Sequence, residues 1–392
     1  MTRLALALAA STALLATAAD AQSRKYRPGG GASDPAVVVT IENGQPSRGA
    51  FLTPVWIGLH DGSFDTHDLG QPASVPLGGR ELEAVAEDGN NGPISDTFAF
   101  RLPDAPQIRG LAGPSGPLAP GDTAGATIRV DPASDRYFSY ASMILPSNDF
   151  FVANDDPFAI ELFDESGAFV ARDFTVTGEL AADAGTEVND EIASNVAFLG
   201  QSAPDTGVTE NGVVTAPTDG FAPPGTFTFP NGVLNHPVVG LAQFNTPDDD
   251  ILRVSFQFVD FARRVRFRAP LSADQVEGSV NSDASGRATL VSRRGNSVVV
   301  RAWVGGLSGP ITSATLNLGR AGSNGPVVAT LGGAQGSDLT AQITASDISD
   351  AFGGDFSDFL GEMAAGNVYL NLGTAANPDG EVRGQVGLAP RR

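Results

Sequence analysis

Glycine and proline interrupt this chain 47 and 27 times in 392 residues, so long helices are disfavoured throughout. Glycine costs a helix interior about 1 kcal/mol and proline about 3 kcal/mol. Between the interruptions lie short apolar runs rich in β-branched residues: Val37-Val38-Val39-Thr40-Ile41, Val55-Trp56-Ile57-Gly58-Leu59 and Ala126-Thr127-Ile128-Arg129-Val130. In Val254-Ser255-Phe256-Gln257-Phe258 the apolar residues fall at period two, as one buried sheet face requires. The expected fold is all-β, with two β-sandwich domains in tandem. Only two short helical stretches are predicted, near Glu81 to Ala86 and near Asp355 to Ala365. Gly200 to Gly240, rich in Pro, Gly, Thr and Asn, is expected to be a long and mostly disordered loop. Within it, Asn211-Gly212-Val213-Val214 should touch the sandwich edge.

The chain opens on Met1-Thr2-Arg3 and an Ala/Leu-rich apolar run from Leu4 to Ala19, closing on Ala19-Asp20-Ala21. That small-x-small ending predicts a signal peptide over residues 1–21, cleaved near Ala21. Residues 22–34, with Pro28-Gly29-Gly30-Gly31, read as a flexible linker. No later segment approaches the length of a membrane span. The expectation is a secreted protein, extracellular or periplasmic. There are no cysteines, so the fold must rest on core burial, with metal as a further support, rather than on disulfides.

Formal net charge is −21. Such a surface repels nucleic acid, whose affinity for proteins comes largely from cationic contacts with phosphate, and it attracts divalent cations. The single lysine, Lys25, lies in the linker, which excludes a P-loop.

Two segments bring carboxylates together on predicted loops: Asp149 in Leu145-Pro146-Ser147-Asn148-Asp149-Phe150-Phe151, and Asp183-Ala184-Gly185-Thr186-Glu187. Oxygen-rich loops of this kind suit a hard cation. Ala141-Ser142-Met143-Ile144-Leu145-Pro146-Ser147-Asn148-Asp149 resembles the S-M-x-x-P-S-x-D-W segment of the spondin N-terminal domain, and Asp183 to Glu187 resembles the D-A-G-T-D that follows it there. His60-Asp61-Gly62-Ser63, Gly70-Gln71-Pro72-Ala73-Ser74 and Ala86-Glu87-Asp88-Gly89 occur upstream in the family's order. The resemblance spans about residues 35–260. It implies a calcium-binding β-sandwich with Asp149, Asp183 and Glu187 as side-chain ligands, completed by backbone carbonyls and water. Glu187 departs from the family's aspartate by one methylene. Oxygen ligands throughout favour calcium over zinc.

Composition changes near Phe261. Nine arginines (253, 263, 264, 266, 268, 287, 293, 294, 301) face four acids between Arg253 and Arg301. Leu271-Ser272-Ala273-Asp274-Gln275-Val276-Glu277, Ala284-Ser285-Gly286-Arg287-Ala288, Gly322-Ser323-Asn324-Gly325-Pro326-Val327-Val328 and Asn377-Pro378-Asp379-Gly380-Glu381-Val382-Arg383-Gly384-Gln385 then follow. Their order resembles the CHRD module repeated in chordin, over about residues 262–388. Where many such modules carry A-H-I-H, this chain has Ala314-Thr315-Leu316-Asn317. Where they carry a His before Thr near the end, it has Gly373-Thr374. The resemblance therefore implies a structural or binding module without the family's imidazoles.

His60-Asp61-Gly62-Ser63-Phe64-Asp65-Thr66-His67-Asp68 could ligate a transition metal. However, its histidines are not at helical i, i+4 spacing and Asp-Gly-Ser is turn chemistry, so a loop end bordering the calcium site is the favoured reading. Alternation in Arg263 to Arg268 sets Arg264, Arg266 and Arg268 on one strand face. That face reads as solvated, the other option being a docking surface for an anionic glycan or an acidic domain. No catalytic or cofactor-binding residues are assigned: there is no cysteine, no G-x-S-x-G elbow, and few histidines. The resemblances imply an exported adhesion or matrix protein binding calcium and a cell-surface or matrix protein or glycan. The alternatives are a secreted polysaccharide-acting hydrolase and a self-assembling surface or biofilm protein.

Overall fold

The computed structural model describes residues 35–216 and 250–390, apart from 48, 191, 198, 279 and 294–296. The expected signal peptide and linker, and the loop beyond residue 216, lie outside the described residues. Strand accounts for 41% and helix for 13%, so the fold is all-β.

Among the described residues of the first half, ten strands and two α-helices follow in order. They are β1 (Pro35–Asn43), β2 (Phe51–Leu52), β3 (Val55–His60), α1 (Glu81–Asp88), α2 (Gly92–Arg101), β4 (Gln107–Leu111), β5 (Thr123–Arg129), β6 (Tyr137–Leu145), β7 (Phe150–Ala153), β8 (Phe174–Thr177), β9 (Ala181–Asp183) and β10 (Asp250–Asp260). They form a sheet of order β5-β1-β10-β8 and a second of order β4-β3-β6-β7-β9, with β2 pairing β6. The core between the two sheets takes Val37, Val39 and Ile41 from β1 and Ile57, Phe138 and Val152 from the facing sheet. On the opposite face of that second sheet, α1 and α2 bury Leu82, Val85, Ile94 and Phe98 against Trp56 and Phe151.

The second half holds β11 (Arg266–Ser272), β12 (Ser285–Ser292), β13 (Ser297–Gly305), β14 (Ile311–Leu318), β15 (Val327–Thr330), β16 (Ala334–Gln335), β17 (Asp338–Thr344), α3 (Phe356–Ala364), β18 (Val368–Thr374) and β19 (Val382–Leu388). Its nine strands make one hydrogen-bonded sheet, β15-β14-β18-β19-β11-β12-β13-β17-β16. The joint is β11, which pairs with both β12 and β19. The sheet bends into a half-barrel, and its inward residues, Phe267, Leu290, Val300, Leu316 and Leu370 among them, close on a single core with Phe359 and Leu360 of α3. A clean two-period fixes this: Phe267, Ala269 and Leu271 are buried while Arg266, Arg268 and Pro270 are exposed.

The two halves are packed together. Ala36 and Val38, on the opposite face of β1 from Val37 and Val39, belong to the second half's core along with Val259 and Phe261. The β1 sheet is thus covered on both faces, which is why Pro35 to Ile41 reads as an almost unbroken apolar run. At β5, Thr127 Oγ1 donates to Gly361 O at 2.7 Å and Arg129 donates to Asp358 Oδ1 at 3.0 Å. Gly125 is required there, since a Cβ would stand 2.3 Å from Ala365 O.

Both predicted helices form, α1 running two residues beyond Ala86 and α3 lying within Asp355 to Ala365. Asp355 caps α3 by accepting from Asp358 N–H at 2.8 Å. Helix α2, carrying Pro93 in its first turn, lay outside the sequence expectation.

Candidate metal centre

The turn from β6 to β7 delivers Asp149. Ser147 Oγ donates to Ile144 O at 2.6 Å and accepts from Phe150 N–H at 3.1 Å, closing a tight corner that buries the next acid. Register then brings the second segment alongside, because β7 pairs β9 with Phe150 opposite Asp183. Asp183 Oδ1 accepts from Gly185 N–H at 2.8 Å, and Gly185 turns with φ 64°. A Cβ on Gly185 would lie 2.7 Å from Val213 O, so glycine serves both the left-handed conformation and the close approach. That approach belongs to Asn211 to Val214: Gly212 N–H donates to Gly185 O at 2.8 Å, and Thr215 bridges Asp183. The segment touches the sheet edge as the sequence suggested.

After the turn, Thr186 and Glu187 point their N–H groups at Asp149. Oδ2 of Asp149 accepts from Thr186 N at 2.8 Å, Thr186 Oγ1 at 3.2 Å and Glu187 N at 3.0 Å. Oδ1 is buried with no hydrogen-bond partner, and Asp149 as a whole is 0% exposed. Burial and then the charge of Asp183 push its carboxyl up to about 7, against the pull of those three donors. A carboxyl so placed is costly as an anion unless a cation joins it.

Glu187 is equally buried, but its side chain turns away from this pair. Its Oε2 faces Asn148 Nδ2 at 3.4 Å, while Oε1 is buried without a partner. The carboxylate rests on Gly207, where a Cβ would overlap it. Burial raises Glu187 as well. Asp183 is half-buried, its Oδ2 accepting from Asn189 Nδ2 at 2.8 Å. So Asp149 and Asp183 are neighbours, and Glu187 joins them through its backbone. Among the described residues no arginine or lysine forms an ion pair with any of the three. The buried, unpartnered oxygen of Asp149 beside the charge of Asp183, in an all-oxygen setting, fits a hard divalent cation.

Sequence reasoning did not single out a buried acid that lies near this centre. Glu87 of α1 is 2% exposed, and its Oε2 is unpartnered. Burial, and then the charges of Glu83, Glu187 and Asp205, push it up to about 8 against the pull of the nearby Thr186 side chain. The available signal was its place in Ala86-Glu87-Asp88-Gly89. Among the described residues, the group of three acids whose ligand atoms all lie within 4.8 Å of one another is Glu83, Glu87 and Asp205.

The histidine segment is built into the sheet. His60 Nδ1 accepts from Gly62 N–H at 3.0 Å, which leaves Nε2–H to donate to Ser139 Oγ at 2.9 Å, so both ring nitrogens are used. His67 packs its ring edge-on against Phe151 at 5.0 Å. Burial lowers both to about 4, and they stand as neutral core histidines.

In the second half, Glu381, Arg383 and Gln385 of the Asn377 to Gln385 segment spend their polar groups on internal partners. Burial would raise the Glu381 carboxyl, but the Ser308, Thr374 and Ser282 hydroxyls and the Ser308 N–H overcome that and hold it at about 2. Arg383, 2% exposed, lies 3.5 Å from the centre of the Tyr369 ring and donates to Arg320 O at 2.7 Å and Ser323 O at 2.9 Å. Gln385 Nε2 donates to Gly319 O and Gly366 O, each at 2.7 Å. At two positions where the family carries histidines, Thr315 Oγ1 donates to Asn317 Oδ1 at 2.7 Å; the third is Gly373, and the Thr374 hydroxyl beside it donates to Glu381. These residues are the module's internal staples.

A family model for the CHRD domain matches residues 267–386. No curated protein matches the chain. The CHRD domain is a module typical of extracellular proteins. Among the described residues no helix is long and apolar enough to cross a membrane.

Proposed function

We propose that this chain is an exported, calcium-dependent adhesion or matrix protein, with a spondin-like first half that holds the ion and a CHRD second half that serves as a binding or structural module. The observation that carries the reading is Asp149: fully buried, with one oxygen saturated by three donors, the other unpartnered, and Asp183 as its charged neighbour. Asp149 and Asp183 would hold calcium through their carboxylates, with Glu187, the third expected ligand, tied to Asp149 through its N–H while its carboxylate lies against Asn148 and Gly207. The ion would supply the positive charge that lets these carboxylates ionise inside the protein and would pin the Pro146–Asp149 turn to the Asp183–Glu187 loop. The loops so ordered, at one edge of the β4-β3-β6-β7-β9 sheet, would present a surface to a cell-surface or matrix protein or glycan. The reading assigns no catalytic step to any residue.

Thermal unfolding with calcium, with magnesium and with chelator tests it. A ligand that binds only the folded state raises stability by mass action, and extracellular calcium modules bind at about 10⁻⁴ to 10⁻³ M. A calcium-selective rise in melting temperature at millimolar ion, smaller in Asp183→Ala, is expected. An equal rise in wild type and Asp183→Ala removes Asp183 from the site, and no calcium-selective rise in wild type removes the function.

A further inference from the structure

Helix α1 carries a second set of carboxylates toward the loop that follows Gly200. Glu83 and Glu87 are four residues apart and so share a helix face. Asp205 reaches them from the loop, whose own attachment is to the same helix: Gln201 Nε2 donates to Asp88 Oδ1 at 2.8 Å, and Asp205 N–H approaches the same oxygen at 3.4 Å. One oxygen from each of the three acids lies within 4.8 Å of the other two.

Their present counter-charge is incomplete. Arg80, at the lip and 57% exposed, stands 2.6 Å from Glu83 Oε1 and 2.9 Å from Asp205 Oδ2. It satisfies the two outer carboxylates and forms no ion pair with the inner one. Glu87 is 2% exposed, and its Oε2 has no partner. Thr206 Oγ1, next to Asp205 in the chain, is likewise buried and unpartnered. An arginine that pairs only the two outer acids leaves the buried Glu87 oxygen without a counter-charge. Every donor atom is a hard oxygen, with no imidazole or thiol, which is the chemistry of calcium rather than of zinc or copper.

We propose that Glu83, Glu87 and Asp205 form a second calcium-class site, separate from Asp149, which binds by displacing Arg80 from the two outer carboxylates. An ion there reaches the buried Glu87 oxygen that the guanidinium does not pair, and it fastens the loop after Gly200 to α1. Arg80 acts as a built-in competitor: it keeps the outer acids apart from solvent cations until calcium is abundant.

The site is tested by counting calcium bound per full-length chain in equilibrium dialysis. Wild type, Asp205→Asn, Glu87→Gln, Arg80→Gln and Asp183→Ala would be compared. Asp205 is exposed, so its variant does not put folding at risk, and Glu87→Gln keeps the side chain's shape. The expected result is two ions in wild type and one in each of Asp205→Asn and Glu87→Gln. Asp183→Ala loses the other ion, and Arg80→Gln binds the Asp205-dependent ion more tightly than wild type. Wild-type stoichiometry and affinity in both Asp205→Asn and Glu87→Gln overturn the proposal, as does Arg80→Gln with unchanged or weaker binding. A single wild-type ion lost in Asp205→Asn but kept in Asp183→Ala supports this site and removes the Asp149 one; the reverse pattern removes this site and leaves the proposed function standing.

Discussion

Replacing Asp149 with asparagine should stabilise the calcium-free protein at alkaline pH and destabilise the calcium-loaded one. Asparagine keeps an oxygen to accept from the Thr186 and Glu187 N–H groups and removes the charge. In the folded chain burial and the Asp183 charge push Asp149 up to about 7, against about 3.9 in the unfolded chain. A carboxyl raised in this way stabilises the fold below its unfolded value and loses that contribution as pH climbs through the folded value. Between pH 5 and its folded pKa the wild type therefore sheds about 3 kcal/mol that the variant does not, at about 1.4 kcal/mol per pH unit. At roughly 2 °C per kcal/mol for a chain of this size, the melting temperature of Asp149→Asn relative to wild type should rise by about 6 °C on going from pH 5 to pH 8 in chelator. Millimolar calcium at pH 8 should then reverse the order, because the ion neutralises aspartate and has less to hold in asparagine. Differential scanning calorimetry of both proteins, at both pH values and with and without calcium, reads the whole cycle. A melting-temperature difference that is the same at pH 5 and pH 8 in chelator would refute the argument that Asp149 is a costly buried acid.

Three further outcomes follow from the geometry. His67 is neutral in the fold with its pKa lowered to about 4, so stability present above pH 6.5 is lost as pH falls toward 4; His67→Gln should remove about 3 kcal/mol of that loss, read by urea unfolding at pH 4.5 and 7.5. Gly185→Ala meets both a left-handed φ and a Cβ 2.7 Å from Val213 O; it should cost about 1–3 kcal/mol and weaken calcium binding by moving Thr186, with a thermal shift assay reading both. Glu381→Ala strips the acceptor from Ser308, Thr374 and Ser282; a loss of about 3 kcal/mol or more in chemical denaturation is expected, whether or not calcium is present.

The candidate centre was only partly legible in the chain. Asp149 and the Asp183-Ala184-Gly185-Thr186-Glu187 turn stand out because each residue has a local duty that restricts its identity: Asp183 accepts from the turn's own N–H, Gly185 takes the left-handed φ, and Thr186 offers two donors. Where each carboxylate points was not legible. The Glu187 side chain is held by Asn148 and Gly207, and Glu87 enters because α1 lies across the sheet beside Thr186. Neither relation has a signature in spacing, since each joins segments distant in the sequence.

The sequence by itself determined the strand-rich class and the two short helices near Glu81 and Asp355, for these follow from period-two burial and from glycine and proline interruption. Tertiary structure alone decided that β1 would be covered on both faces. Val37 and Val39 meet one core and Ala36 and Val38 the other, an outcome that depends on β1 pairing with β10, Pro35 opposite Asp260. Likewise, only long-range pairing through β11 joined the second half's strands into one bent sheet. Alternation tells which residues share a face; what that face meets is set by chain closure across hundreds of residues, which no local pattern records.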